Sequence, residues 1–357
     1  MNIKPRIAFL LPTTCKIPVG GYKVVFEYAN RLARDGYEVS IVYAGLINFR
    51  KKSFIEKLRG IKQYLWELRD YSSRSWFYID QRIKELHPIT LYNPKDADIY
   101  IATACETAKY VATYPANKQR FYFIQDEETW SMTEEELEQT YSYPLEKIVI
   151  SHWLQKKLNK NGHLCQVVPN GFDTKEYYLT IPIEEKEMKH ISVLSHFGPR
   201  KDFKTALKAL RIVHEKHPDI SVTAFGSTPP TEDLPPWVEF HLRPSHQDHL
   251  RINNEASIYV AASYAEGWGL TIGEAMMCGQ AVVCTNANGF LEMAVNERNA
   301  LVSPIRDAEA LAANIIKLLE DNNLRCRLAR QGYEDIRQFD IEISYQKFRN
   351  VILSSKR

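Results

Sequence analysis

Two carboxylates separated by seven residues, Glu266 and Glu274, flank a glycine-rich turn in the stretch AEGWGLTIGEAMMCG, residues Ala265–Gly279. An apolar run precedes it (Ser257–Ala262) and another follows (Gln280–Thr285), so it reads as strand, turn, helix, strand. Gly267, Gly269 and Gly273 leave backbone N–H groups open at a helix start, which suits an anion such as phosphate. Carboxylates repel phosphate, but they accept hydrogen bonds from hydroxyls. Diphosphate on amides beside hydroxyls on carboxylates describes a nucleotide sugar. The plainer reading is α/β punctuation, with Glu274 in a first helical turn favoured by the dipole.

A second constellation carries the opposite charge. Arg200 and Lys201 follow Gly198-Pro199 and precede a helical stripe of Phe203, Leu207 and Leu210. Cations at a helix start oppose the dipole unless an anion is near, and a leaving diphosphate is such an anion. Solvent-facing basic residues are the alternative. Near the other end of the chain, Gly20-Gly21 opens a helix after the apolar run Ile7–Leu11. It is a weak signal alone, because a GxGxxG fingerprint is missing.

Glu266, seven residues and Glu274, within EGWGLTIGEAMMCG, resemble the E-x7-E signature of retaining family 4 glycosyltransferases. The resemblance implies the GT-B fold: two Rossmann-like α/β domains with a cleft between them and a C-terminal helix returning to the first. It implies that Glu266 contacts hydroxyls of the donor sugar and Glu274 the ribose. It makes Glu266, Lys201 and Arg200 the catalytic set. Gly20, Gly21, Gly267, Trp268, Gly269, Leu270, Thr271, Glu274, His196 and Arg243 become the donor-binding set. Trp268 stands where the family usually has Phe or Tyr, and His196 falls near its phosphate-binding Arg. Gln125 stands near a position that is often His in the family, so the acceptor side is less defined. No metal or other cofactor is implied, since cations and amides hold the diphosphate.

Composition sets bounds on these readings. The chain has 357 residues, enough for about two domains, with 45% hydrophobic and 25% charged residues. A net charge of +2 gives no argument for nucleic acid as a partner. Six scattered cysteines lack metal-type spacing and read as reduced thiols of a cytoplasmic protein. Pro12 interrupts the first apolar run, which argues against a signal peptide, and no stretch has the roughly 18 apolar residues of a membrane span.

The expected domains are 1–180, joined by the helix 341–357, and 190–340, with the linker at Thr180–Lys189. Residues 48–74 carry an excess of basic residues, with Phe54, Leu58, Ile61, Leu65 and Leu68 at helical spacing. Such a helix fits an anionic membrane surface or packs on its own sheet with a solvated face. Asp126, Glu127 and Glu128 follow the strand-like Phe121–Ile124. These acids, Asp126 and Glu127 foremost, could orient or deprotonate an acceptor hydroxyl, or the group could be an acidic helix start. Asp96-Ala97-Asp98 has the spelling of a metal-binding Asp-x-Asp, yet it precedes its strand and reads as a cap.

The expected function is transfer of a sugar from a nucleotide-diphosphate donor to a glycan or lipid-linked acceptor. The setting implied by the family is bacterial surface polysaccharide or glycolipid synthesis, in the cytoplasm or peripherally on the inner face of the membrane. The alternatives are a nucleotide-sugar epimerase and a non-catalytic two-domain sugar- or phosphate-binding protein.

Overall fold

A computed structural model of the chain describes residues 4–44, 73–86 and 96–354. The chain divides into two compact units, one of Met1–Pro169 with Tyr345–Arg357, the other of Asn170–Ser344. Each is an α/β layer structure built on one parallel sheet.

The first sheet contains β1 (Ile7–Leu11), β2 (Val39–Tyr43), β3 (Lys84–Leu86), β4 (Ile99–Ala102), β5 (Gln119–Ile124), β6 (Glu146–Val149) and β7 (Cys165–Val167). Its spatial order is β3-β2-β1-β4-β5-β6-β7. The order reverses direction between β1 and β4, and the carboxyl ends of strands at such a point form a natural ligand crevice. Helix α1 (Gly20–Arg34) has basic Arg31 and Arg34 in its last turn and is followed by Gly36 at φ 82°. Its stripe of Val24, Val25, Tyr28, Ala29, Leu32 and Ala33 is buried, and each large apolar side chain so placed contributes about 1.5–3 kcal/mol. The unit also holds α2 (Cys105–Ala112), α3 (Glu134–Tyr141) and α4 (His152–Lys160). Thr133 caps α3 reciprocally with Glu136, so that helix begins well after the acids at 126–128.

The second sheet contains β8 (Glu187–Leu194), β9 (Ser221–Gly226), β10 (Val238–Leu242), β11 (Ala256–Ala261), β12 (Ala281–Thr285) and β13 (Ala300–Ser303). The order is β10-β9-β8-β11-β12-β13, with its reversal between β8 and β11. Helices α5 (Phe203–Lys216), α6 (His246–Glu255), α7 (Leu270–Met277), α8 (Ala308–Glu320) and α9 (Asn322–Ile336) cover it. The core includes Ile191, Val193, Leu210, Val260, Val283, Ile315 and Leu328. Ile183, in the stretch read as a linker, is buried in this same core, and β8 already begins at Glu187. After β12 a short 3₁₀ segment, Asn288–Glu292, is tied back by the Gly289 N–H to the Glu266 carbonyl.

Helix α10 (Ile341–Ser354) ends the described chain. From Tyr345 onward it belongs to the first unit, as expected of the returning helix. Phe348 stacks on Tyr28 at 4.5 Å between ring centroids, and the Tyr345 hydroxyl donates to Asp35 at 2.6 Å. The basic stretch 48–74 lies outside the described residues up to 72, with a 3₁₀ turn at Ser73–Ser75. All six cysteines are free thiols.

Candidate functional site

The acids and cations singled out in the second unit lie where its sheet reverses. β8 leads into the loop Ser195–Asp202, and its neighbour β11 leads into Ala262–Gly269. Adjacent parallel strands deliver both loops to the same edge. There the Lys201 ammonium stands 2.5 Å from Oε1 of Glu266, and the Ser263 hydroxyl donates to that oxygen at 2.7 Å. Glu266 is 5% exposed. A buried carboxylate must be paired, and these two contacts meet that need. The loops are also tied through the backbone, the Tyr264 N–H donating to the Arg200 carbonyl at 2.9 Å. Ser263 is held in turn by the Thr285 hydroxyl, which donates to its carbonyl from the end of β12.

Local backbone geometry fixes the cation loop. Pro199–Lys201 is a single 3₁₀ turn, ended by Asp202 in the left-handed region at φ 45°. Asp202 caps α5, accepting from the Thr205 hydroxyl at 2.8 Å. Arg200 and Lys201 therefore precede the helix rather than occupy its first turn. His196 completes the loop. Its Nδ1 accepts from the Gly198 N–H at 2.8 Å, and its ring stacks on Phe197. Burial, followed by the Lys201 cation, lowers the imidazole pKa to about 4, with Glu266 acting in the opposite sense. The ring is neutral at pH 7, and with Nδ1 accepting, Nε2 carries the proton and is a donor.

The glycine-rich turn enters α7 through Gly269, at φ 101°, with no side chain capping the helix. The amides of Leu270 and Thr271 are thus available at the helix start. A side chain on Gly269 would meet the Phe290 ring at 2.5 Å. Gly289 approaches Gly267 and Trp268 so closely that a Cβ would lie 2.5 Å from their backbone. Glu274 falls in the second turn of α7, not the first, and is 5% exposed. The dipole argument for a first-turn acid therefore does not apply to it. Trp268 is 3% exposed with its indole edge-on to Phe339, so only its backbone can approach a ligand. Arg243 lies two strands from β8, after β10, at φ 50°, its Nε donating to the Ser227 carbonyl at 2.9 Å.

The first unit holds the remaining candidates. Gly20 and Gly21 open α1, and the Gln125 amide donates to the Gly21 carbonyl at 3.1 Å. A Cβ at Gly21 would sit 3.4 Å from that amide, an ordinary tight contact. Asp126 accepts from the Glu127 N–H at 2.7 Å, and Glu127 is ion-paired with Lys157. Glu128, the third acid of that run, accepts from the Cys105 N–H at 2.6 Å at the start of α2. Burial, then the Glu106 carboxylate, pushes its carboxyl up to about 8. Asp98 accepts from the Arg6 N–H at 3.0 Å and pairs with Lys118, the cap that its place before β4 implied. Arg306, at φ 60° after β13, lies over the Tyr264 ring at 4.3 Å; nothing in its sequence context marked it.

Residues 181–335 match the profile of the family described as glycosyl transferases group 1. An N,N'-diacetylbacillosaminyl-diphospho-undecaprenol alpha-1,3-N-acetylgalactosaminyltransferase of Campylobacter jejuni is 32% identical over 53% of this chain and 54% of its own. A phosphatidyl-myo-inositol mannosyltransferase of Mycolicibacterium smegmatis is 25% identical over 48% and 47%. The chain thus spans about half the length of these two relatives. Among solved structures, the Anabaena protein HepE in complex with UDP and glucose superposes with a TM-score of 0.75, covering 99% of this chain and 100% of that one at 17% identity. Sucrose-phosphate synthase from Thermosynechococcus elongatus gives 0.73 at 16% identity, with 99% and 100% covered. At such identities the likeness establishes the shared two-domain Rossmann-like fold.

Proposed function

We propose that this chain, a member of the glycosyl transferases group 1 family through residues 181–335, is a retaining glycosyltransferase that moves a sugar from a nucleotide-diphosphate donor to an acceptor hydroxyl. The observation that carries the proposal is the Lys201–Glu266 pair, 2.5 Å apart at the sheet reversal, with neutral His196 in the same loop. A cation held by a buried acid keeps its position before any ligand arrives, and that preorganisation makes electrostatic stabilisation effective.

In this reading Lys201, Arg200, the His196 Nε2–H and the amides at the start of α7 receive the departing diphosphate. Charge builds on its bridging oxygen as the glycosidic bond to the sugar breaks. Glu266 accepts from donor-sugar hydroxyls, and Glu274 from the ribose. The acceptor hydroxyl attacks from the face the diphosphate is leaving, and a phosphate oxygen takes its proton. No step asks for a metal at the diphosphate. UDP in the HepE structure supports a uridine diphosphate donor as the first to test. The lipid-linked acceptor in the name of the Campylobacter relative supports a lipid-linked or glycan acceptor at the inner membrane face. No helix among the described residues is long and apolar enough to cross a membrane.

The test is a screen of UDP-, GDP- and dTDP-sugars. One of them should raise the melting temperature, since ligand bound to the native state stabilises it by mass action. That donor should then yield free nucleotide diphosphate and a glycosylated acceptor. An altered sugar on intact nucleotide would identify an epimerase, and unchanged ligand a binding protein.

A further inference from the structure

The second unit begins at Asn170 and ends at Ser344, and the segments by which the chain enters and leaves it are bonded to each other. Just after the first crossing, the Phe172 N–H donates to the Phe339 carbonyl at 2.8 Å. Just before the second, the Ile341 N–H donates to the Phe172 carbonyl at 3.1 Å. Phe172 and Asp340 thereby form an isolated parallel bridge. The two backbones approach closely, since a Cβ on Gly171 would lie 2.5 Å from Cα of Ile341. Asp340 also starts α10, its Oδ1 accepting from the Glu342 N–H at 2.7 Å.

The rings of this bridge both reach the glycine-rich stretch between β11 and β12. Phe172 lies against α7, where it fills the space that a side chain on Gly273 would need. Phe339 meets the Trp268 indole edge-on, with ring centroids 5.3 Å apart and an angle of 81°. Phe172 and Trp268 are buried, whereas Phe339 is partly exposed. The indole Nε1–H is buried and has no hydrogen-bond partner among the described residues. The orientation of Trp268 therefore rests on packing, to which Phe339 contributes an aromatic contact. Trp268 stands between Gly267 and Gly269, the residues of the turn with the greatest backbone freedom. An indole held in place between them restricts that freedom.

We propose that Phe172 and Phe339 are positioning residues for the donor. Through α7 and the Trp268 indole they hold Glu274 and the backbone of 267–271 in the geometry that receives a nucleotide diphosphate. This role rests on the reading of the turn as the diphosphate site. Supports of this kind matter because small displacements of a binding constellation are expensive in affinity and rate. The coupling is also reciprocal. A nucleotide diphosphate that orders the turn tightens the Phe172–Asp340 bridge, so donor occupancy is registered at both places where the chain crosses to the first unit.

The experiment uses the full chain with UDP, GDP and dTDP, and reads amide hydrogen exchange at Phe172 and Ile341. The nucleotide that binds should slow exchange at both amides more than along α8 of the same unit. Phe339→Leu should weaken that nucleotide about 2- to 30-fold. At saturation, the two amides of this variant should exchange as they do in the free protein. Phe339→Tyr keeps the ring and should restore both affinity and protection. Tyr333→Leu, in α9, is the control for stability alone; it removes a ring packed on the core of the same unit and should leave both readouts unchanged. Wild-type affinity in Phe339→Leu, or binding that leaves Phe172 and Ile341 exchange unaltered, overturns the proposal. Failure of all three nucleotides to bind the wild type removes the donor reading instead, and this role with it.

Discussion

Oε1 of Glu266 receives both the Lys201 ammonium and the Ser263 hydroxyl, which joins the ends of two adjacent strands in one acid. The first prediction follows from this sharing. Lys201→Ala should lower turnover about 10²- to 10³-fold, the usual loss when one charge-stabilising donor is removed. Glu266→Gln should be comparably severe, and the double variant should be little worse than either single one, because residues acting as a unit are not additive. Steady-state kinetics with the donor identified by screening, alongside circular dichroism to verify folding, checks both points. Independent effects that multiply would count against a joint role.

His196 gives a pH prediction. Its pKa is depressed from 6.5 to about 4, first by burial and then by Lys201. The unfolded chain therefore binds a proton between those values that the folded chain does not. Stability contributed here is complete above pH 6.5 and is lost as pH falls towards 4, by at most about 3 kcal/mol. Thermal melts from pH 7 to 4 should show a shallower acid limb for His196→Gln than for the wild type. Parallel limbs would contradict the partly buried, neutral imidazole.

Much of this arrangement was legible beforehand, and the limits have physical causes. Apolar runs gave most strands, because central strands of a parallel sheet are buried on both faces. The start of β8 fell inside the stretch read as a linker, since Glu187–His190 are mostly polar and at least partly exposed although the strand is central. Glu266 and Glu274 were visible from their glycine spacing. The Lys201–Glu266 pairing was not, because it depends on β8 and β11 being neighbours, and topology is not written in local spacing. The neutral state of His196 and the crowding of Glu128 with Cys105 depend on burial, which residue type alone does not report. Glu127 looked available for chemistry, and only the fold reveals its ion pair with Lys157.

Gly273 supplies a packing prediction. A Cβ there would lie 2.0 Å from Cζ of Phe172, a ring that is itself 4% exposed. Gly273→Ala should destabilise the protein by about 1–3 kcal/mol through overpacking. Gly162→Ala is the control, because that site has open space and its penalty of about 1 kcal/mol comes from φ 82° alone. Urea midpoints should rank the two in that order, and the reverse ranking would mean that the Phe172 ring yields freely.

Lys186 supplies the last prediction. It is 4% exposed, and its ammonium donates to the carbonyls of Asn253, Asn254 and Ala256 at the end of α6. Those are carbonyls the helix cannot satisfy internally, and a cation there complements the dipole. Burial nevertheless lowers its pKa from 10.5 to about 8. Between these values the unfolded chain holds a proton that the folded one has released, so this group makes stability rise with pH from 8 to 10.5. Lys186→Met should remove that rise. It should also lower stability at pH 7 by about 1–3 kcal/mol, because the buried carbonyls lose their donor. Denaturant titrations of both proteins at pH 7, 9 and 10.5 test the two effects separately; a variant as stable as the wild type at pH 7, with the same slope above 8, would remove Lys186 from its place as the cap of α6.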